Sequence, residues 1–279
     1  MENMVNVSKE RPAIIAEDIN LSYTKGFYQF FCKTVAKLVV IALAILRAAG
    51  NIMTGSRAAA LVNCIWIVHH TSNKLEGIDS ISTSVHDNCF CKAWRNVKDC
   101  ICQHCYAYNQ QSYQTGLKEH NILNGIILRN VLLPVVAFKA LKFIFPYLRI
   151  ESFGDVANVT QARNYIRIIK AFPGKRCAIW SKNLAIWKQA FIEEGYTGKE
   201  KPKNTTFVAS SPYLNKPIAE TILESFPFID HIFTVYTKAY ARKNNIVINC
   251  GGRKCLECIM KKTNCYFRGG PLYVNELKK

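Results

Sequence analysis

The chain has 279 residues, 49% hydrophobic and 20% charged, a balance that excludes a disordered polymer and is enough for a full-sized core. Its formal net charge of +18 admits nucleic acid as a polyanionic partner, but the basic residues are spread along the chain and form no dedicated basic tail. Twelve cysteines are many for this length; residues 1–17 lack the apolar stretch of an export signal, so the thiols are expected to stay reduced and, where clustered, to act as metal or redox ligands.

Residues 1–70 read as an N-terminal helical extension set apart from the core. Residues 38–46 are continuously apolar, but nine residues bounded by Lys37 and Arg47 fall short of the roughly 20 that a membrane-spanning helix needs. A membrane partner is therefore not expected, and a buried or interfacial helix is.

Residues 71–279 read as one α/β domain. Short β-prone runs recur at 78–85, 148–153, 177–180, 205–209, 232–236 and 246–248, with helical stretches between most of them. The clearest helix covers 159–172, where Val159, Ala162, Ile166 and Ile169 share one face and Arg163, Asn164, Arg167 and Lys170 the other. Pro173-Gly174 stops it, and Pro217 marks the start of another helix over 218–226. The alternation predicts about six mostly parallel strands, as a partial or distorted (β/α) barrel or an open doubly wound sheet. In both, function sits at the carboxyl ends of the strands.

Five cysteines fall within seventeen residues after the first predicted strand: Cys89, Cys91, Cys100, Cys102 and Cys105. Cys102 and Cys105 form a C-x2-C knuckle, whose short span lets two thiolates reach one metal, and Cys91 is near enough to close on the same site. A second set, Cys250, Cys255, Cys258 and Cys265, spells C-x4-C-x2-C-x6-C and supplies four ligands. That number suits a closed zinc site or a fully ligated cluster, and spacing alone does not separate the two. Cys32, Cys64 and Cys177 stand alone in apolar surroundings, where core packing is the default.

Asp155 follows the second of these runs and is read either as the cap of the next helix or as a ligand group. Glu151, two residues before Phe153, is expected on the same face as that residue. Ser181, Lys182 and Asn183 follow the third run and Tyr236-Thr-Lys238 the fifth, all at the same mouth. His86 and His104 flank the first cysteines as further ligand or proton-donor candidates. P-loop, nucleophile-elbow, zinc-protease and EF-hand motifs are absent from the sequence.

Residues 73–279 resemble the gene-product-88-like proteins of bacteriophages and prophages. The matching elements are Asn88-Cys-Phe-Cys91, Cys102-Gln-His-Cys-Tyr-Ala107, Arg149-Ile-Glu-Ser-Phe-Gly-Asp155, Trp180-Ser-Lys182 and Cys250-Gly-Gly-Arg-Lys-Cys-Leu-Glu-Cys258. That family is in turn similar to radical S-adenosylmethionine enzymes, partial (β/α) barrels whose loop after the first strand holds a [4Fe–4S] cluster on three cysteines. The resemblance implies Cys91, Cys102 and Cys105 as cluster ligands, with Cys89 or Cys100 able to replace Cys91. It implies Gly154 and Asp155 as contacts to S-adenosylmethionine, with Ser181 and Lys182 lining the same mouth. A second iron–sulfur cluster or zinc would occupy Cys250, Cys255, Cys258 and Cys265. The activity implied is one-electron reduction of the sulfonium, releasing methionine and a 5′-deoxyadenosyl radical that takes hydrogen from an unknown substrate, in the cytoplasm of a bacterial host. A different reading is a non-catalytic zinc- or iron–sulfur-binding module whose basic surface binds nucleic acid or a host protein.

Overall fold

A computed structural model describes residues 55–197, 200–251, 253–261 and 265–278, with nothing said of the side chains of 55–57. The apolar run at 38–46 and Cys32 lie outside the described residues. Seven strands form one sheet, in chain order across it: β1 (Val68–His70), β2 (Ile78–Ile81), β3 (Tyr147–Ile150), β4 (Arg176–Ser181), β5 (Thr205–Ser210), β6 (His231–Tyr236) and β7 (Tyr273–Leu277). β1 pairs antiparallel with β2, and every other neighbouring pair is parallel.

Because consecutive parallel strands are also spatial neighbours, the right-handed crossovers between β2 and β6 return their helices to the same face of the sheet, while the β6–β7 connection carries residues 255–260 across the other face. A doubly wound sheet would reverse its strand order at a switch point; the order here runs straight from β1 to β7. This is the strand order of a (β/α) barrel left open.

The helices are α1 (Gly55–Val62), α2 (Cys89–Arg95), α3 (Tyr106–Tyr113), α4 (Thr115–Asn130), α5 (Val135–Phe138) and α6 (Val159–Ala171). They continue with α7 (Leu184–Glu193), α8 (Ile222–Ser225), α9 (Lys238–Lys243) and α10 (Cys255–Met260). The main core lies between sheet and helices: Ile81, Leu148, Ile150, Cys177, Ile179 and Phe207 meet Ile127, Leu128, Ile166, Ile169, Trp187 and Phe191. Trp187 is fully buried and packs against Tyr165, Phe191 and Phe207. Cys177 belongs to this core, as its apolar setting predicts.

The periodicity of α6 places Ala162, Ile166 and Ile169 inward as expected. Asn164 departs from that reading: it is fully buried, donating to the carbonyls of Leu128 and Val131 and accepting from the Leu133 amide. A side chain that satisfies three main-chain groups of the α4–α5 connection compensates its own burial. Arg163, Arg167 and Lys170 do face outward, and all three bind the Glu194 carboxylate at 2.8–3.1 Å, fastening α6 to the end of α7.

The structure also moves several boundaries. Residues 55–70 are built into the domain, since Ala58, Leu61 and Val62 of α1 lie in the main core and β1 is hydrogen-bonded to β2. Residues 246–248 form no strand: Asn245 takes φ 53° and Val247 is 75% exposed. The seventh strand is instead Tyr273–Leu277, an edge strand too polar to register as a β-run. The helix expected over 218–226 shortens to α8, four residues long.

The face of the sheet opposite the main core is covered by the C-terminal segment, α10 included. Tyr266 and Ile259 pack there on Ile78 and Ala178, while Val208, Phe233 and Val274 form an adjoining cluster. No helix among the described residues is long and apolar enough to cross a membrane.

Candidate functional site

The segment after β2 carries the first cysteines and is held from three sides. Arg129 of α4 donates to the carbonyls of Ser84 and Asp87 and pairs with the Asp87 carboxylate at 3.2 Å. Buried Asn88 caps α2, its Oδ1 accepting from the amides of Phe90 and Cys91 at 3.0 and 3.2 Å. Its Nδ2 donates to the Asp155 carbonyl at 2.5 Å, tying the start of the cysteine helix to the end of β3. Further on, the Ile101 amide donates to the Pro212 carbonyl and Cys100 bridges to Tyr213, so the C-x2-C knuckle hangs over the end of β5.

Glu151 overturns a simple alternation. It takes φ 54°, a left-handed conformation rare for this residue type, and is removed from the face of Phe153. Its buried carboxylate lies beneath α6, accepting from the Thr83 amide (3.1 Å), Thr83 Oγ1 (2.7 Å), Gln161 Nε2 (2.7 Å) and the Tyr165 hydroxyl (2.7 Å). Burial pushes its pKa up to about 7, against the pull of those donors and of Arg129. Gly154 is fixed by this arrangement: a Cβ there would stand 2.7 Å from Glu151 Oε2 and 2.9 Å from the Thr83 carbonyl oxygen.

Asp155 does not cap the following helix; Asn158 does, accepting from the Gln161 amide. The Asp155 carboxylate instead reaches β4, with Oδ1 accepting from Ser181 Oγ at 2.5 Å and from the Val156 amide at 2.8 Å, and Oδ2 from the Lys182 amide at 2.7 Å. Asp155 thus joins the carboxyl ends of β3 and β4, and through its carbonyl the start of α2. Burial raises its pKa, although Lys182 and these donors pull it down.

Lys182 is the charged centre of the site. Burial would lower its pKa, but Cys102, Asp155, Cys105 and Cys91 lie within electrostatic reach and the net shift is upward. The three cysteines chosen from sequence are therefore brought to one lysine. Cys91 is pushed well up, first by burial and then by Asp155 and Glu151. Cys100 joins them: its Sγ accepts from the Cys102 amide at 3.3 Å, and hydrogen bonding with Cys102 lowers its pKa to about 7 while raising that of Cys102. Cys89 is exposed and stands apart. His86 stacks on Tyr108 and His104 is exposed, and Thr237 caps α9.

Tyr106, which the sequence did not single out, borders the site. The residue is 66% exposed, yet its hydroxyl donates to the Ser152 carbonyl at 2.5 Å. An aromatic residue directly after the last cysteine of the knuckle was the available signal.

The second cysteine set lies on the sheet face opposite the main core, with Cys255 and Cys258 in α10. Cys255 and Cys265 pack beside Tyr266, and Cys250 and Cys265 beside Phe233 and Val274. Lys74 holds this set from below: its Nζ donates to Cys250 Sγ at 3.5 Å and pairs with Glu276 at 2.6 Å, and its carbonyl accepts from the Cys255 amide at 2.7 Å. Burial raises the pKa of Cys250 and Cys255, and takes that of Cys265 to about 12. Among the described residues, no three His, Cys, Asp or Glu side chains are grouped so as to hold a metal ion. No family model matches the chain, and neither a curated protein nor a solved structure does.

Proposed function

We propose that this chain is an iron–sulfur-binding protein of the radical S-adenosylmethionine-like kind, encoded by a phage or prophage and working in the cytoplasm of its bacterial host. Cys91, Cys102 and Cys105 would hold a four-iron cluster at the carboxyl edge of the sheet. The observation that carries the reading is Lys182. A half-buried ammonium is held best where an anion meets it, and Asp155 and three thiols lie within its electrostatic reach. The Asp155 carboxylate is one counter-charge and also accepts from Ser181 and two main-chain amides; thiolates at Cys91, Cys102 and Cys105 would add to it. The chemistry of the donor set is of the kind the group takes: soft sulfur ligands on one loop, with Cys100 as a further thiol beside Cys102.

The cluster would supply one-electron reduction of S-adenosylmethionine bound beside it. The chain's own residues do the positioning. Asn88 and Asp155 lock the cysteine loop to the strand ends, and Lys182 offsets the charge of the thiolates. Gly154 and Ser181 act through Asp155 and Glu151, holding the edge in shape. The substrate is left open.

Anaerobic purification followed by iron and acid-labile sulfide analysis tests the reading. Brown protein that loses iron on Cys102→Ala supports it; colourless protein with stoichiometric zinc overturns it. Cleavage of S-adenosylmethionine to 5′-deoxyadenosine, lost on Cys102→Ala, would establish catalysis. An intact cluster without cleavage would instead leave a binding module, and salt-sensitive DNA or RNA binding would then identify its partner.

A further inference from the structure

We propose that the chain holds a phosphate group in a cationic pocket at the amino edge of the sheet, at the opposite end of the strands from the first cysteine loop. The pocket is a half-open cavity of about 150 Å³, bordered by Lys175, Arg176, Lys203, Asn204, Thr205 and Arg268 among others. Arg176 is the first residue of β4 and Thr205 the first of β5, whereas Ser181 ends β4 beside Asp155. The six residues of β4 put roughly 17 Å between its two ends. The pocket therefore stands whether or not metal occupies the cysteine loop.

Four cationic side chains border the cavity and, among the described residues, no acidic one does. Lys175 is partly met, its Nζ lying 3.7 Å from Asp79 Oδ2 and donating to the Phe145 carbonyl. Arg176, Lys203 and Arg268 have no ion pair among the described residues. The two guanidinium groups are nevertheless fixed in place. Arg176 Cζ lies 3.9 Å from the centre of the Phe267 ring, and Nη1 donates to the Tyr266 carbonyl at 3.5 Å. Arg268 donates from Nε to the Thr205 carbonyl at 3.4 Å and from Nη2 to the Pro202 carbonyl at 2.9 Å. Those carbonyls orient the forks but bring no counter-charge, and a guanidinium has five N–H donors, so each keeps several for a ligand. Asn204 steadies the rim: its Nδ2 donates to the carbonyls of Phe172 and Lys175 at 3.2 and 2.9 Å, tying the α6–β4 turn to the start of β5. Groups already in position lose little freedom when an anion arrives.

Charge and size name the ligand. Three unpaired cations exceed the single charge of a carboxylate and suit a phosphate, which carries up to about two charges and presents acceptor oxygens on every side. A site enclosing a whole small molecule runs to roughly 300–1,000 Å³. This cavity is smaller, so it takes free phosphate or the phosphate end of a larger molecule whose remainder stays outside.

The test is calorimetric titration of the full chain at low ionic strength, with inorganic phosphate as the probe. Phosphate should bind at one site, Lys203→Gln should weaken it about threefold, and Arg176→Gln/Arg268→Gln about tenfold or more. Lys203 is exposed, and its side chain is in no hydrogen bond or ion pair among the described residues, so its variant reads the site even if the arginine variant loses the fold. Arg242→Gln/Lys243→Gln, on α9 beyond the carboxyl end of β6, removes the same charge as the arginine variant and should leave phosphate binding unchanged. A short thymidine oligonucleotide with a 5′-phosphate that displaces inorganic phosphate would assign the site to a nucleic-acid end; phosphate binding without such displacement would assign it to free phosphate or a small ester. Absence of phosphate binding, affinity unchanged in the pocket variants, or an equal loss in Arg242→Gln/Lys243→Gln would each overturn the proposal.

Discussion

Replacing Glu151 with glutamine should flatten the pH dependence of stability in a calculable direction. The carboxyl group is buried and its pKa stands at about 7, raised from an ordinary value of 4.5. A carboxyl whose pKa is higher folded than unfolded binds more protons in the native state between those values, so stability falls as pH rises from 4.5 through 7. At 1.36 kcal/mol per unit, the shift corresponds to about 3 kcal/mol across that window. Four donors already meet the carboxylate, and burial still outweighs them. The glutamine of Glu151→Gln has no such titration, although its amide nitrogen must face one of those donors and will carry a constant penalty. Urea unfolding of both proteins at intervals from pH 4.5 to pH 8 isolates the term. The variant should gain about 3 kcal/mol on the native chain between the two ends of the range. Parallel curves would show that Glu151 is not buried in this state and would refute the account of its φ and of Gly154.

Three further outcomes can be checked on the same material. Gly154→Ala should cost about 1–3 kcal/mol by urea unfolding, since the added Cβ meets the fixed Thr83 carbonyl at 2.9 Å as well as the movable Glu151 side chain; an unchanged midpoint would refute the close packing. Asn88→Ala removes the α2 cap and the tie to Asp155, so it should cost about 1–2 kcal/mol and reduce iron retention during gel filtration, whereas Asn88→Asp should keep the cap and recover part of both. Trp187→Ala should cost about 3–5 kcal/mol through the cavity left among Tyr165, Phe191 and Phe207, and the protein that remains folded should bind as much iron as the native chain.

The fold was legible where residues pack by simple periodicity. Five of the six β-runs are strands, because Ile, Val and Phe buried on both sides of a parallel sheet stand out in any window. β7 escaped because an edge strand with Asn275 and Glu276 at its centre carries little apolar signal, and β1 because a three-residue antiparallel strand with two histidines has no periodicity to read. Asn164 and Glu151 show a second limit. Each sits where its polarity argued for the surface, or its alternation for another face, and each is compensated by partners distant in sequence. For the candidate site, the spacings led to the loop after β2 and to Cys100 as an alternative ligand, but the contacts of Cys100 with the Cys102 amide and of Tyr106 with the Ser152 carbonyl depend on a chain path that spacing does not carry.

The buried charges divide in a way that bears on both sulfur sites. Asp79 binds His69 at 2.6 Å and the amides of Ile144 and Phe145 at 2.9 Å each, and Glu151 and Asp155 are equally well supplied with donors. These carboxylates are complete within the protein and read as structural. The cations are set differently: Lys182 lies within electrostatic reach of Asp155 and three thiols, and Arg149 within reach of thiols, over the Trp180 ring and hydrogen-bonded with Tyr266. A chain with 37 basic and 19 acidic residues has no surplus of carboxylate to send to them. Both side chains are half-buried, so solvent shares the task of compensating them with these neighbours. If metal-held thiolates supply part of the counter-charge, as proposed, removal of metal should destabilise the folded chain, most steeply in low salt, where charge interactions are least screened.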